Sequence, residues 1–538
     1  MKDLLVGIDF GACNLKAVKI KNDGSFEAVE LSRNNMGQDK HAANLIYYNK
    51  TKEGNINKLI GEEALNRRKT DKKGKNYIDN IKRRLENHAW SKVIANLDNR
   101  AVTAAEAASD IFSVLRSKYI VPKSGQNIRA AITVPVGYTP KQRQIIRQVA
   151  EQAGFQVDSI ISEPFAALLS LANLVEHAEQ QEQLILIFDF GGSTLDFSVA
   201  LVTNYDGKLC IKELAAQGIK LGGLDIDQDI YERILRPQYA DILDKALVGS
   251  DPSEREENFL RFAQALKETL FKSGDASAIA NEMDNEYPEG CENIELKLTD
   301  FNAMLQNGDY ARQIRQVLDN LFTDLFDNHC YDKNDLTKVW VFGGTAQIPY
   351  FVNLLTDYFG ETLLSGNDFE NYDILLPGLE SRYMAVAGGA VNYLKLCLDE
   401  PDTVEIENII PFVIGYAQNG KFIPCLDMLK PMLFKIEPIL PLEFLNETGW
   451  SLDFYQTTSG KEPAQLDEAN GEEVFLGKIQ LDESLYSQKS AVKMEMQMVR
   501  ETRELNKRLL RLRFVEERLE DGEREPVVVE EHFMKVGG

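Results

Sequence analysis

Asp189-Phe190-Gly191-Gly192-Ser193-Thr194-Leu195-Asp196 is the stretch of this chain whose residue types and spacing could do chemistry. Paired glycines let a backbone come close to a ligand, and the N–H groups of such a turn converge into a concavity that suits phosphate. An aspartate at the strand end supplies oxygens for the hydrated magnesium that neutralises phosphate charge. A second copy, Asp9-Phe10-Gly11-Ala12-Cys13-Asn14, stands about 180 residues earlier. Two such turns could grip a metal-bound triphosphate from opposite sides.

The elements around each turn must hold it in place. The apolar run Leu184 to Phe188 predicts a buried strand, and Phe197 to Val202 its continuation after the turn. The first copy has a strand from Leu5 into Asp9 and another through Ile20. Asp23-Gly24 and Asp206-Gly207 are hairpin signals that lead into strand-like runs, Phe26 to Leu31 and Leu209 to Leu214. A unit repeated in this way predicts two similar lobes facing each other across one nucleotide cleft. No Gly-x-x-x-x-Gly-Lys-Ser/Thr is present, which excludes a P-loop enzyme.

The paired turns resemble the phosphate loops of the actin-like ATPases, which include actin, sugar kinases and the 70-kDa heat-shock chaperones. Further stretches resemble the chaperone branch: Ala130-Ala131-Ile132-Thr133-Val134-Pro135, Lys141-Gln142-Arg143-Gln144, Ser162-Glu163-Pro164-Phe165-Ala166-Ala167 and Val341-Phe342-Gly343-Gly344-Thr345-Ala346-Gln347-Ile348-Pro349. The resemblance covers roughly residues 1–397 and is weaker beyond. It implies a divergent short member without the family's helical lid. The implied fold is α/β, with duplicated actin-like (ribonuclease H-like) ATPase lobes followed by a β-rich C-terminal domain. The boundaries read as an ATPase domain over 1–397 (lobes 1–185 and 186–397), a linker over 398–410 and a β-sandwich-like substrate-binding domain over 411–538.

The resemblance also assigns roles. Asp9 and Asp189 would hold Mg²⁺, mainly through water. Lys82, Glu163 and Asp189 would position the attacking water and balance the developing charge, with Thr194 on the γ-phosphate. ATP or ADP would be held by Gly11, Ala12, Cys13 and Asn14, by Gly191, Gly192, Ser193 and Thr194, by Gly222 and Gly223, by Gln264 and Lys267, and by Gly343, Gly344 and Thr345. Pro135 and Arg143 match the switch that couples nucleotide state to the appended domain. The chain departs from the family pattern at Ala12 and Cys13, where hydroxyl residues are usual, and at Gln264. It departs again at Glu268, where an arginine would stack on adenine, and at Tyr383, where an acidic residue is usual. The implied activity is slow, magnesium-dependent ATP hydrolysis coupled to binding of unfolded polypeptide, with a J-domain co-chaperone and a nucleotide-exchange factor as further partners. The alternatives are a nucleotide-responsive binding module with little hydrolysis, an actin-like filament protein and a sugar kinase.

Bulk properties agree. At 538 residues the chain is too long for one core, and 44% hydrophobic with 27% charged residues describes a globular protein. A net charge of −24 argues against nucleic acid or an anionic membrane as partner. Six scattered cysteines without Cys-x-x-Cys indicate neither zinc nor a disulfide framework. With no apolar run of about 18 residues and no signal-peptide form at the N-terminus, the expected compartment is the cytoplasm.

The remaining sequence predicts a helix with a basic face over Tyr77 to Trp90 and an amphipathic helix over Ala101 to Ser117. Arg129 to Val134 and Val157 to Ile161 read as strands, and Ser162 as the N-cap of the helix that carries Glu163. Residues 226–310 read as largely helical, Lys338 to Phe342 as a strand and Ile348 to Phe359 as a helix. Small residues in Ala385-Val386-Ala387-Gly388-Gly389-Ala390-Val391 would let backbones approach closely. In the C-terminal part Asn419-Gly420 marks a hairpin, and Val492, Met494, Met496 and Met498 alternate as a strand does. That methionine stripe reads as plain core or as an adaptable peptide groove. Arg500, Arg503, Lys507, Arg508, Arg511 and Arg513 read as a solvated sheet face or a site for an acidic partner.

Overall fold

The computed structural model describes residues 3–31, 42–50, 55–70, 76–86, 93–97, 100–171, 182–205, 208–246, 252–282, 288–364, 376, 379, 382–399, 404–409, 412–418, 421–427, 439–458, 474–486, 492–500, 508–520 and 523–536. The Asp206-Gly207 turn, the Asn419-Gly420 hairpin, Trp90, Arg503 and Lys507 lie outside them, as do the side chains of Met498, Arg500 and Arg508.

The chain is a mixed α/β protein with several sheets. The first large sheet runs Gln156–Ser162, Ile128–Val134, Leu4–Phe10, Asn14–Ile20, Phe26–Ala28. The second runs Lys338–Phe342, Gln183–Phe190, Leu195–Tyr205, Lys208–Ile219, Val404–Glu407. Connectivity repeats between them. Leu4–Phe10 pairs antiparallel with the strand that follows it and parallel with Ile128–Val134. Gln183–Phe190 likewise pairs antiparallel with its successor and parallel with Lys338–Phe342.

Both central strands are buried on both faces, which is why they read as continuous apolar runs. Val6, Ile8 and Phe10 enter one core with Phe112 and Ile146, while Leu186, Phe188 and Phe190 enter another with Phe262 and Phe351. Leu5, Ile185 and Ile187 face a third core that both sheets share with helices Glu163–Leu169 and Ala385–Asp399. The second of these helices fits only because its contacts lack side chains. A Cβ on Gly389 would lie 1.6 Å from the Ala166 carbonyl oxygen, and one on Gly7 would lie 2.0 Å from that of Ala387.

Three expectations change. Tyr77–Asp79 is a strand paired with Leu45–Lys50, and Asn80 at φ 51° turns the chain into a short helix, Ile81–Glu86. The amphipathic helix begins at Ala104, not Ala101, because Thr103 forms a capping box with Glu106 and leaves Arg100–Thr103 as a strand. Residues 404–407, read as linker, add a parallel edge strand to Lys208–Ile219.

Beyond them lie two four-stranded sheets. One contains Phe412–Gln418, Lys421–Asp427, Ser451–Thr458 and Val474–Gln480; the other contains Ile439–Leu440, Val492–Arg500, Arg508–Glu520 and Glu523–Val536. Ile414, Phe454, Met494, Met496, Leu512 and Phe514 share one core, so the described methionines are plain core. Arg511 and Arg513 both pair with Glu531 across the strand, as a solvated sheet face does.

Replacing Gly389 by valine forces branched carbons against a main-chain carbonyl that cannot rotate away. Overpacking of this kind costs about 3 kcal/mol at the upper end of its usual range. Urea unfolding of Gly389→Val should show at least that loss; a wild-type midpoint would contradict the packing described.

Candidate functional site

The two Asp-Phe-Gly turns meet at one junction. A Cβ on Gly192 would stand 2.6 Å from Cys13 Sγ, so the turns touch across the halves of the chain. Gly191 N donates to the Thr194 carbonyl at 3.0 Å, closing the second turn on itself. Around it Gly223 N donates to Gly191 O at 3.1 Å and Leu224 N donates to Gly192 O at 2.8 Å. A Cβ on Gly222 would fall 2.3 Å from Gly192 O. Thr345 Oγ1 donates to Gly191 O at 2.8 Å, and Lys267 Nζ donates to Gly223 O at 2.9 Å. Gly343 takes φ 88°, where its missing side chain leaves room for Phe190 O and Asp189 Oδ1. The first turn is held from behind by Asn44, whose Nδ2 donates to Gly11 O at 2.6 Å and whose backbone N donates to Cys13 O at 2.7 Å. Residues 11–14, 191–194, 222–223, 267 and 343–345, far apart in sequence, are therefore gathered at one place.

Beneath the turns lies a buried charge cluster. Asp9, Glu163, Asp189 and Asp196 are acids with almost no solvent exposure, and Lys82 is buried among them. Lys82 Nζ donates to Glu163 Oε1. Lys16 Nζ donates to Asp9 Oδ2 at 2.8 Å. Burial pushes the Asp189 carboxyl up to about 6, with Lys16 pulling it down and Asp9 pushing it further up. Burial likewise raises Glu163 against the pull of Lys82, and raises Asp196 against its hydrogen bond from Thr194. The Cys13 thiol is pushed up to about 12 by burial, helped by Asp227, which leaves it protonated and unreactive at neutral pH.

From this cluster a chain of contacts leads away. Asp196 Oδ1 accepts from Val136 N at 2.9 Å, in the turn that follows Pro135. Arg143 is buried and donates to the carbonyls of Val136 and Tyr138. Ser162 occupies the N-cap position without capping; its hydroxyl faces Glu213 at 3.5 Å. Glu213 also accepts from Ser198 Oγ at 2.8 Å and from Ile409 N at 2.8 Å.

The expected residues do not all converge. Gln264 Nε2 turns along its own helix to Glu268 Oε1 at 3.0 Å, and Tyr383 accepts from Gln347 on an exposed surface. Lys267 pairs with the buried Asp227 at 2.7 Å. Sequence reasoning missed Lys16, although strand register places it directly opposite Asp9. It also missed two ties between segments far apart in sequence: Arg83 to Asp225 at 2.8 Å and Arg261 to Asp79 at 2.7 Å. No local signal marks these, because both partners are ordinary charged residues on separate helices and strands.

Comparison with known proteins agrees with this arrangement. The family model described as Hsp70 protein matches residues 29–369, more than half of the chain. The chain belongs to the Hsp70 family. This Hsp70 family member is 26% identical over 385 residues to the chaperone protein DnaK of Stenotrophomonas maltophilia, covering 66% of this chain and 56% of that protein. It is 25% identical over 365 residues to the DnaK of Thermosipho melanesiensis, with 67% and 56% covered. With the DnaK of Mycoplasmoides gallisepticum it shares 30% identity over 233 residues, 43% of this chain and 36% of that protein. The chain thus spans just over half the length of the curated relatives first matched.

Burial pushes the Glu213 carboxyl from 4.5 up to about 7, even though Ser198 and the Ile409 amide donate to it. An unfolded glutamate ionises above its ordinary value, while the folded one keeps its proton until about 7, so unfolding releases a proton in that window. Wild-type stability should therefore fall relative to Glu213→Gln as pH rises from 4.5 to 7. The change is on the order of 3 kcal/mol. Parallel urea titrations across that range check it; a pH-independent difference would show that Glu213 stays ionised.

Proposed function

We propose that this Hsp70 family member binds ATP and ADP at the junction of its glycine turns and hydrolyses ATP slowly. Nucleotide state would then be coupled to the binding of unfolded polypeptide by the C-terminal sheets. The observation that carries this reading is the meeting of Gly192 with Cys13, which sets two phosphate-type turns from separate sheets against each other over one buried charge cluster. The repeated sheet connectivity supports two lobes with the boundary near residue 185, and the closed core of the last two sheets supports a domain beyond residue 410.

In this reading backbone N–H groups of the turns hold the β- and γ-phosphates. Lys82 and Lys16 supply fixed positive charge where charge develops on the γ-phosphoryl group. Asp189, ionised at neutral pH because its pKa lies near 6, accepts a hydrogen bond from the attacking water. Phosphoryl transfer depends on positioning and electrostatics, so these groups suffice only while the turns stay aligned. The residues present do not fit a magnesium ion coordinated directly by Asp9 and Asp189 together: Lys16 Nζ already holds Asp9 Oδ2, and among the described residues no three acidic, histidine or cysteine side chains are grouped to hold a metal.

Coupling is supported by Asp196 accepting from the Val136 amide, by Arg143 holding the Val136 carbonyl and acting through its charge on Glu213, and by Glu213 accepting from the Ile409 amide just before the C-terminal sheets. A J-domain co-chaperone and an exchange factor are partners consistent with this family, and the cytoplasm is its expected compartment. Among the described residues no helix is long and apolar enough to cross a membrane. A second reading, a nucleotide-responsive module with little turnover, is favoured by the Lys82–Glu163 pair, in which two groups expected to act on phosphate and water satisfy each other.

Calorimetry with ATP, ADP and GTP tests the binding claim, and adenine nucleotides should bind in preference. Steady-state phosphate release should fall at least about tenfold in Lys82→Ala and Asp189→Asn. An unfolded fluorescent peptide should bind with different affinity in ATP and in ADP. Absence of nucleotide binding would overturn the proposal, and binding without phosphate release would select the second reading.

A further inference from the structure

The return strand of the first glycine turn places Lys16 directly opposite Asp9, and the return strand of the second places Asp196 opposite Asp189. Residues paired in this way point to the same face of a sheet. The two units therefore repeat one ladder position with opposite charge: a base in the first and an acid in the second. Asp196 turns its carboxylate to the Val136 amide, whereas Lys16 sends its ammonium to Asp9. The Lys16 and Asp9 side chains are only 16% and 5% exposed. Lys16 is thus a largely buried ammonium paired with the first strand-end aspartate.

Lys82 pairs with Glu163 rather than with a strand-end aspartate. The positive charge on the Asp9 side of the cluster comes from Lys16. A dication brought to the same carboxylates would have to share Asp9 with the ammonium already bound to its Oδ2. It would also meet a fixed positive charge at short range, in surroundings where water screens poorly.

We infer that Lys16 serves as a built-in counter-cation for the phosphate groups and Asp9, so that this chain binds ATP without requiring a divalent metal. The inference rests on the nucleotide-binding reading and deepens it: the ligand is the bare triphosphate, and its metal is replaced by a side chain. Lys16 is a positioning and charge-supplying residue in that role.

The test is calorimetric titration of the full chain with ATP, once with excess magnesium and once with excess EDTA. Wild type should bind with dissociation constants that differ by less than about threefold between the two buffers. Lys16→Met should bind in magnesium but lose at least about tenfold in affinity when the metal is removed. Lys16→Arg keeps the charge and should keep the metal independence. Circular dichroism melts establish that each variant is folded, and the wild-type comparison stands even if Lys16→Met does not fold. If wild type itself loses more than about tenfold in EDTA, the inference is overturned while ATP binding stands. If wild type binds ATP in neither buffer, both the inference and the nucleotide reading fall.

Discussion

Everything at the centre of this molecule depends on main chain meeting main chain without side chains between. The turn at Gly191 and Gly192 is held by amides of residues 223 and 224 and by the Thr345 hydroxyl, and the helix Ala385–Asp399 rests its glycine against the Ala166 carbonyl. Both contacts exclude even a methyl group. The first fixes the turns that would hold phosphate, and the second fixes the helix pair in the core shared by the two sheets.

The same strands that bring the turns together also bury four carboxylates and two ammonium groups. Charges removed from water are tolerated only when paired or hydrogen-bonded. Here the pairings are Lys16 with Asp9, Lys82 with Glu163, and Asp196 with Thr194 and the Val136 amide. Asp189 is the carboxylate whose partners are chiefly fields rather than short contacts, with Lys16 and Lys82 pulling and Asp9 pushing.

Much of this was legible in the sequence, and the limits have physical causes. The central strands announced themselves because burial on both faces leaves them apolar up to Asp9 and Asp189, and the second turn because its glycine pair stands between two aspartates. The strand Tyr77–Asp79 was misread as helix because the helix that follows it was extended back across it, whereas pairing with Leu45–Lys50 and the left-handed turn at Asn80 separate the two. Edge strand Val404–Glu407 looked like a linker because one side of it meets solvent, so acidic residues alternate along it. Lys16 could have been found by counting back across the turn from Asp9, but composition alone gives a lysine in a strand no special mark. The ties of Arg83 to Asp225 and Arg261 to Asp79 are beyond any local reading, since they depend on how distant segments come together.

The four-residue edge strand has a further consequence. Sheet edges invite pairing with foreign chains, and proteins usually blunt them. The second sheet ends on a strand supplied by the segment that leads to the C-terminal sheets, joined by a short parallel ladder and the Ile409–Glu213 hydrogen bond. So small a ladder is a zip with few teeth: once it opens, Lys208–Ile219 becomes a bare rim with unpaired amides, an adhesive edge laid open beside the segment that leads to the C-terminal sheets.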